Sequence, residues 1–320
     1  MTRTRIPQTV LDAAHARSRA RQAQDWVAAD RLKAEIAAAG WRVVDSGPDF
    51  RLELAVASDV VHEGIVLHGS SSSVPSLLDA PPTGVATIVV VAGQAEETRA
   101  FVERVAAHSP AATGVVVVAR APESPPDIVV DPAEGDFAGA IAEVVHTTAG
   151  LGLAATLNAG IRRASGRIVV LCAAPLVVHG DIVGPLVAAL ADPDVAVTGG
   201  WGSRTADLRR FEPAEADVDV VDLACLAFRR EDAIARGLLD ERIATHRYLG
   251  TSWSLSLRLG VDRASRRGAV VTSLPAERLD DASIGPESLP ADQVRATRRD
   301  FYRVRDAWAA HLDEVTHSRP

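Results

Sequence analysis

Cysteine is scarce in this sequence: Cys172 and Cys225 are the only two, far apart and in no C-x-x-C pair. That argues against a disulfide framework or a cysteine zinc site and fits two reduced thiols in a cytoplasmic protein. Long apolar runs are missing too. The longest, such as residues 115–119, are strand-sized, well short of the ~18 residues a spanning helix needs. The opening MTRTRIPQTV carries basic side chains but no apolar stretch, so it does not read as a secretory signal. Lysine is nearly absent: Lys33 stands alone, which is a bias of composition rather than of mechanism. There is no internal repeat.

What is present suffices for a large folded domain with an appendage. The chain has 320 residues, 47% of them hydrophobic and 24% charged, which excludes disorder as the main state. The net charge of -8 is unevenly spread. Residues 1–42 hold Arg3, Arg5, Arg17, Arg19, Arg21, Arg31, Lys33 and Arg42 against Asp12, Asp25, Asp30 and Glu35, so this head is positive and the body carries more than the whole net negative charge. A basic head permits an anionic partner there; a solvated helix face is the plainer account.

Apolar spacing predicts two helices over 8–39, with Val10, Leu11 and Ala14, then Trp26, Ala29, Leu32 and Ile36, on buried faces. Gly40 stops the second, a short strand covers 41–44, and one or two more lie between 50 and 67. Residues 70–73 are all serine, and with Pro75, Pro81 and Pro82 they mark a linker or a wrapped surface segment. From residue 85 onward, strands apolar on both faces alternate with helices. We read strands at 85–92, 114–119, 167–172, 194–199, 217–228 and 268–274, and helices at 95–108, 136–147, 153–164, 181–191, 251–266 and 291–314. The pattern predicts a doubly wound α/β domain around a mostly parallel sheet. The organisation is then a helical prefix (1–50), a strand and linker segment (51–84), the α/β domain (85–290) and a C-terminal helix (291–320).

Residues 20–45, with Asp25-Trp26, Asp30-Arg31 and Gly40-Trp41 running to Asp45, are similar to the C-terminal helical tail of cysteinyl-tRNA synthetases. That resemblance implies possible RNA or tRNA contact, or only a reused helical packing module; the synthetase's zinc ligands and nucleotide signatures are absent. Residues 85–290 resemble the GT-A fold of family 2 glycosyltransferases. The best segment runs from Gly152 through Asn158 and Gly160 to Gly166 and Leu171. Two echoes follow: Asp222 to Asp232 with Gly237–Glu241, and Thr251 to Leu259. The resemblance implies a UDP- or GDP-sugar donor and places Gly152 and Asn158 in its binding frame.

Such transfer needs charge neutralisation at the departing diphosphate, usually by a cation on a D-x-D pair, and a carboxylate base near the acceptor hydroxyl. The sequence departs from the family at each point. Ala119, Arg120 and Ala121 stand at the nucleotide-side aspartate, Cys172-Ala173-Ala174 at D-x-D, and Thr251-Ser252-Trp253-Ser254 at E-D-x-D. Alanine is no ligand for a hard cation, and a thiol is a soft one. The expectation is a glycosyltransferase-like protein without metal-dependent catalysis and without a divalent metal or other cofactor, serving as a binding or scaffolding protein with a protein partner. The alternatives are an active metal-independent transferase and an RNA-associated module.

Several residues are candidates for the remaining chemistry. The loop Gly199–Arg204 can cradle a diphosphate with Arg204, or be a plain surface loop. His246 is a candidate base, and with Tyr248 a candidate wall of the acceptor pocket. Asp281, beside Asp280, is a candidate acid or a helix cap. Trp201 and Trp253 can stack on a sugar or base, and Trp253 can equally fill an emptied pocket. Cys172 reads as a small buried hydrophobe. Asp217, Asp219 and Asp222 read as an edge face in water.

Overall fold

The computed structural model describes residues 6–46, 49–54, 59–121, 142–173, 176–259, 267–278 and 291–311. The chain forms two compact units, residues 1–58 and 59–320.

The first unit pairs helices α1 (Gln8–Gln22) and α2 (Trp26–Ala38) with a hairpin of β1 (Trp41–Ser46) and β2 (Asp49–Leu54). Asp25 caps α2 by accepting from the Ala28 N–H at 3.0 Å. Gly40 takes φ 77°, the left-handed turn that glycine tolerates at a helix end. Val10, Ala14 and Ile36 form the core with Trp41, and Ala29 is buried, as the helical spacing predicts; Leu11 and Leu32 are only half-buried. Trp26 does not join them. It is the first residue of α2, ahead of the face that meets α1, and is 59% exposed.

One ion cluster ties the first helix to the hairpin. Arg17 donates two hydrogen bonds to the Asp45 carboxylate, at 2.8 and 3.0 Å, and Arg21 pairs with the same group. Hydrogen bonding from Arg17 holds the Asp45 carboxyl down at about 2, from an ordinary 3.8. A depressed carboxyl stabilises the fold fully above its unfolded pKa, and that contribution is lost as pH falls through the folded value. Carbon-detected titration of Asp45 is expected to show a midpoint at about 2, moving up toward 3.8 in Arg17→Met. A midpoint unmoved by that substitution would refute the pairing.

The second unit is built on an eight-stranded sheet. Its strands are β5 (Gly84–Val91), β6 (Thr113–Arg120), β7 (Ala142–Thr147), β8 (Gly166–Cys172), β10 (Val195–Gly199), β13 (Asp217–Val218), β15 (Leu226–Arg229) and β16 (Gly268–Val271). Smaller pieces complete it: β3 (Val60–His62), β4 (Ile65–Leu67), β9 (Leu176–Val178), β11 (Gly202–Arg204), β12 (Glu212–Ala214), β14 (Val220–Val221) and β17 (Ala276–Arg278). The sheet order is β13-β16-β10-β15-β8-β5-β6-β7. The β8–β5–β6–β7 run and the β10–β16 pair are parallel, while β15 runs against both its neighbours and β13 against β16.

Helices cover both faces, which is why the central strands are apolar throughout. The α3 (Ala95–His108) and α5 (Val183–Ala189) helices pack on one side through Phe101, Val105 and Leu186. On the other side lie α4 (Leu153–Arg162), α6 (Arg230–Arg236), α7 (His246–Arg258) and α8 (Ala291–Trp308), with Leu157, Phe228, Leu249 and Val304 in one core.

Three segments differ from the sequence reading. Residues 142–147 form the edge strand β7, not the end of a helix; the rest of that predicted helix lies outside the described residues. The β-branched Val144, Val145 and Thr147 suit a pleated edge beside β6, and this pairing outweighs the helical spacing. The expected strand over 217–228 breaks into β13, β14 and β15, each with a different partner. The helix expected from 251 begins at His246. The proline-rich stretch after β4 is a wrapped segment rather than a loose linker. Arg230 donates to the carbonyls of Ala164 (3.0 Å), Ala80 (2.9 Å) and Leu77, and Arg163 to that of Pro75 (2.9 Å).

The best-matching segment is a packing device. Gly160 faces β5 and β6, and a Cβ there would lie 2.3 Å from Val89 and 2.9 Å from Val118. Gly166 lies flat on β5. Both glycines let α4 and β8 close on the sheet.

Candidate functional site

The carboxyl ends of the parallel strands lie together, the edge where open α/β sheets bind ligands. A cleft of about 880 Å³ opens there between the ends of β10 and β16, the β14 region, the first turn of α7 and β17. Its polar groups form a run. One Asp222 oxygen accepts from the Ala224 N–H at 2.8 Å and lies 3.9 Å from the Nδ1 of His246, and the other accepts from Arg278 at 3.0 Å. The distance to His246 is an ion-pair separation rather than a hydrogen bond. The Arg278 guanidinium sits 5.7 Å from the Trp201 ring centroid, and on the other wall Arg247 sits 5.4 Å from Phe211. A smaller recess of about 310 Å³ lies at the end of β5, lined by Gly93, Glu97, Thr98, Phe101 and Ala173.

The structure sorts the candidate residues by place. His246 and Trp201 line the cleft. Arg204 does not: it lies on β11 and donates to the Asp217 carbonyl at 3.0 Å. The glycines before it serve close approach, since a Cβ on Gly199 would lie 2.1 Å from the Cys225 carbonyl oxygen. Asn158 is buried inside the unit. Its amide donates to the Leu239 carbonyl and Glu241, both at 2.9 Å, and its oxygen accepts from the Leu239 N–H at 3.0 Å. Gly152 is the cap position of α4. Trp253 is buried edge-on against Phe228, with centroids 5.3 Å apart, so it packs the core. Tyr248 is buried between Phe211 and Phe301, and burial raises its phenol above the ordinary value. Asp280 and Asp281 lie outside the described residues.

Asp222 and Asp219 are not in an edge face in water. Asp222 is in the cleft. Asp219 is 2% exposed, accepts from the Thr205 N–H at 2.8 Å, and has the buried Arg258 3.8 Å away. Sequence reasoning also missed Arg278, Glu215, Phe211 and Arg247 as cleft residues. A signal existed only for Asp222, which opens one of the motif echoes.

The stretch that the family resemblance sets at D-x-D, Cys172-Ala173-Ala174, begins at the end of β8; Ala174 lies outside the described residues. Cys172 is buried there, and hydrogen bonding to the Cys225 thiol, with burial, pushes its pKa well above the ordinary thiol value. Ala173 follows, a methyl group lining the smaller recess. These side chains do not fit a hard divalent cation, which takes oxygen ligands. Along α7, Thr251 bonds the Arg247 carbonyl at 2.8 Å, and the Ser254 hydroxyl accepts from the Val221 N–H at 3.0 Å. Among the described residues, no three His, Cys, Asp or Glu side chains converge as a metal site.

Residues 87–242 match Glycosyl transferase family 2. The chain carries a family 2 glycosyltransferase-like domain. The crystal structure of GalNAc-T7 with UDP, GalNAc and Mn²⁺ superposes with TM-score 0.54 at 14% identity, over 71% of this chain and 48% of that one. The chain thus spans about half the length of that protein, and at this identity the likeness is one of fold: GT-A, with a mixed, mostly parallel sheet. Residues 1–349 of S. aureus TarS with UDP give TM-score 0.48 at 15% identity, over 72% and 69%. The mannosyltransferase PcManGT of Pyrobaculum calidifontis with GDP-Man and Mn²⁺ gives 0.42 at 18%, over 75% and 78%. No curated protein sequence matches the chain. No described helix is long and apolar enough to cross a membrane.

Proposed function

We propose that this protein binds a nucleotide sugar on its glycosyltransferase-like domain without metal-dependent transfer, and serves as a binding or scaffolding protein. The observation that carries this is the end of β8, where the buried Cys172 thiol faces Cys225 at the first D-x-D position; the second falls in sequence on Ala174. The positive charge at the cleft comes instead from Arg278 and Arg247, and guanidinium forks suit phosphate oxygens. The recess beside Glu97 and Phe101 offers an apolar wall and an acceptor for a nucleobase.

The test is thermal unfolding of the full chain with UDP- and GDP-sugars, in EDTA and in Mn²⁺. A donor at 100 times its Kd adds about 2.7 kcal/mol by linkage. The expected result is a rise of about 5 °C or more for at least one donor, equal in EDTA and Mn²⁺. A rise that needs Mn²⁺ refutes the metal-free reading, and no rise with any donor refutes nucleotide-sugar binding.

A second reading, metal-independent transfer, is favoured by His246 standing beside Asp222 on the cleft wall. There the imidazole would take the acceptor hydroxyl proton, with Asp222 orienting the ring. This reading requires donor turnover in EDTA that is lost in His246→Ala.

A further inference from the structure

The helix α8 and its surroundings, beyond the matched segment, concentrate positive charge on a chain whose net charge is -8. One face of α8 is consumed in packing: Asp300 and Val304 are buried, and Phe301 and Trp308 pack against the core. The opposite face presents Arg295, Arg298, Arg299, Tyr302 and Arg305, all exposed. Spacings of three and four place them along one stripe.

Rings and guanidinium groups continue that stripe to the cleft. Arg298 stands 6.0 Å from the Tyr302 ring centroid and Arg305 4.7 Å from it. Arg209 lies 5.4 Å from Phe301, whose ring is 6.1 Å from Tyr248, itself 6.2 Å from Phe211. Phe211 and Arg247 then line the cleft. Asp306 pairs with Arg305, and Asp300 lies near Arg299 and Arg303. Among the described residues, the guanidinium groups of Arg209, Arg210, Arg247, Arg295 and Arg298 form no ion pair within 4 Å, Asp207 accepting from the Arg209 and Arg210 N–H groups instead, and all five are exposed.

We propose that this arginine stripe docks the protein on an anionic lipid surface, with the cleft at its edge. Exposed arginines on a helix face attract acidic headgroups, each contributing about fivefold to affinity. The acidic remainder of the second unit is repelled, which fixes that unit's orientation. Because the apolar face of α8 is already spent on the core, the contact stays at headgroup depth, with Tyr302 as the interfacial ring. Binding is therefore electrostatic and salt-sensitive. This goes beyond nucleotide-sugar binding and does not depend on it.

The test is co-sedimentation of the full chain with phosphatidylglycerol vesicles and with phosphatidylcholine vesicles. Expected is binding to the former alone, released at about 0.5 M salt. The combined Arg209→Glu, Arg295→Glu and Arg298→Glu variant should bind about a hundredfold more weakly, with an unchanged melting temperature. Arg99→Glu with Arg167→Glu, outside the stripe, should bind like the parent. Equal binding to both lipids, or a triple variant that still binds, overturns the proposal. So does tighter binding of a single-stranded RNA of matched charge, which would assign the stripe to nucleic acid.

Discussion

Gly166→Ala is expected to destabilise the second unit by about 3 kcal/mol or more, a fall in melting temperature of roughly 6–12 °C. The new Cβ would stand 2.3 Å from the Ala86 carbonyl carbon and 2.6 Å from both the Ala86 Cα and the Thr87 nitrogen. All three are backbone atoms of β5, so no side chain can turn aside, and the β8–β5 pairing at the centre of the sheet must open. The Thr87 hydroxyl, which accepts from the Ser165 and Gly166 N–H groups at 3.1 and 2.8 Å, would lose its register as well. Gly152→Ala is the matched control. A Cβ there meets nothing within 4 Å and the backbone is at φ -69°, so the change should stay within about 0.5 kcal/mol. Urea unfolding of both variants decides the matter, and equal midpoints would refute the close-approach argument.

The same glycine shows what kind of information the sequence carried. Residues 152–166 were legible as a motif because close packing of α4 and β8 on β5 leaves room only for glycine at two positions. The apolar strands were legible because both of their faces are covered, and α3 spans the 95–108 expected for it. Strand β7 was not, since its helical and strand patterns overlap and only the neighbouring β6 decides between them. Trp26 misled because periodicity ignores where a helix starts relative to its partner.

The cleft was half legible. His246 and Trp201 could be picked out by type and by position near strand ends. Asp222 and Arg278 could not be paired, because nothing local links two residues brought together by separate strands. Asn158, Gly152 and Trp253 belong to recognisable motifs, yet in this chain their side chains or backbone serve the frame around the cleft. A family motif mixes residues that hold the scaffold with residues that hold the ligand, and only burial and partners separate them.

The start of α7 depends on a residue far along the chain, and removing it is the second large effect expected. Asp300 of α8 is fully buried, and one carboxylate oxygen accepts from the Ala244 N–H (2.9 Å), the Thr245 N–H (2.9 Å) and the Thr245 hydroxyl (3.0 Å). Thr245 is the cap position of α7, and its own side chain does not cap the helix. Asp300 therefore supplies the anionic cap that begins the helix one residue ahead of His246, and it answers the positive end of the helix dipole. Thr245 is a cap type by sequence, but its hydroxyl is spent on Asp300, so the negative charge at this helix start comes from another helix. Asp300→Ala would remove the acceptor of two backbone N–H groups and a hydroxyl in a partly buried place, and the counter-charge beside Arg303 and the exposed Arg299. The expected cost is about 2–3 kcal/mol, the loss of charge-assisted hydrogen bonds at a partly buried site. Asp300→Asn keeps an acceptor but not the charge, and should recover part of that loss. The His246 ring resonances should shift in both variants, more in alanine, as the first turn of α7 loosens. If the alanine variant unfolds at the parent's midpoint with His246 unmoved, the cap does not hold the cleft wall in place.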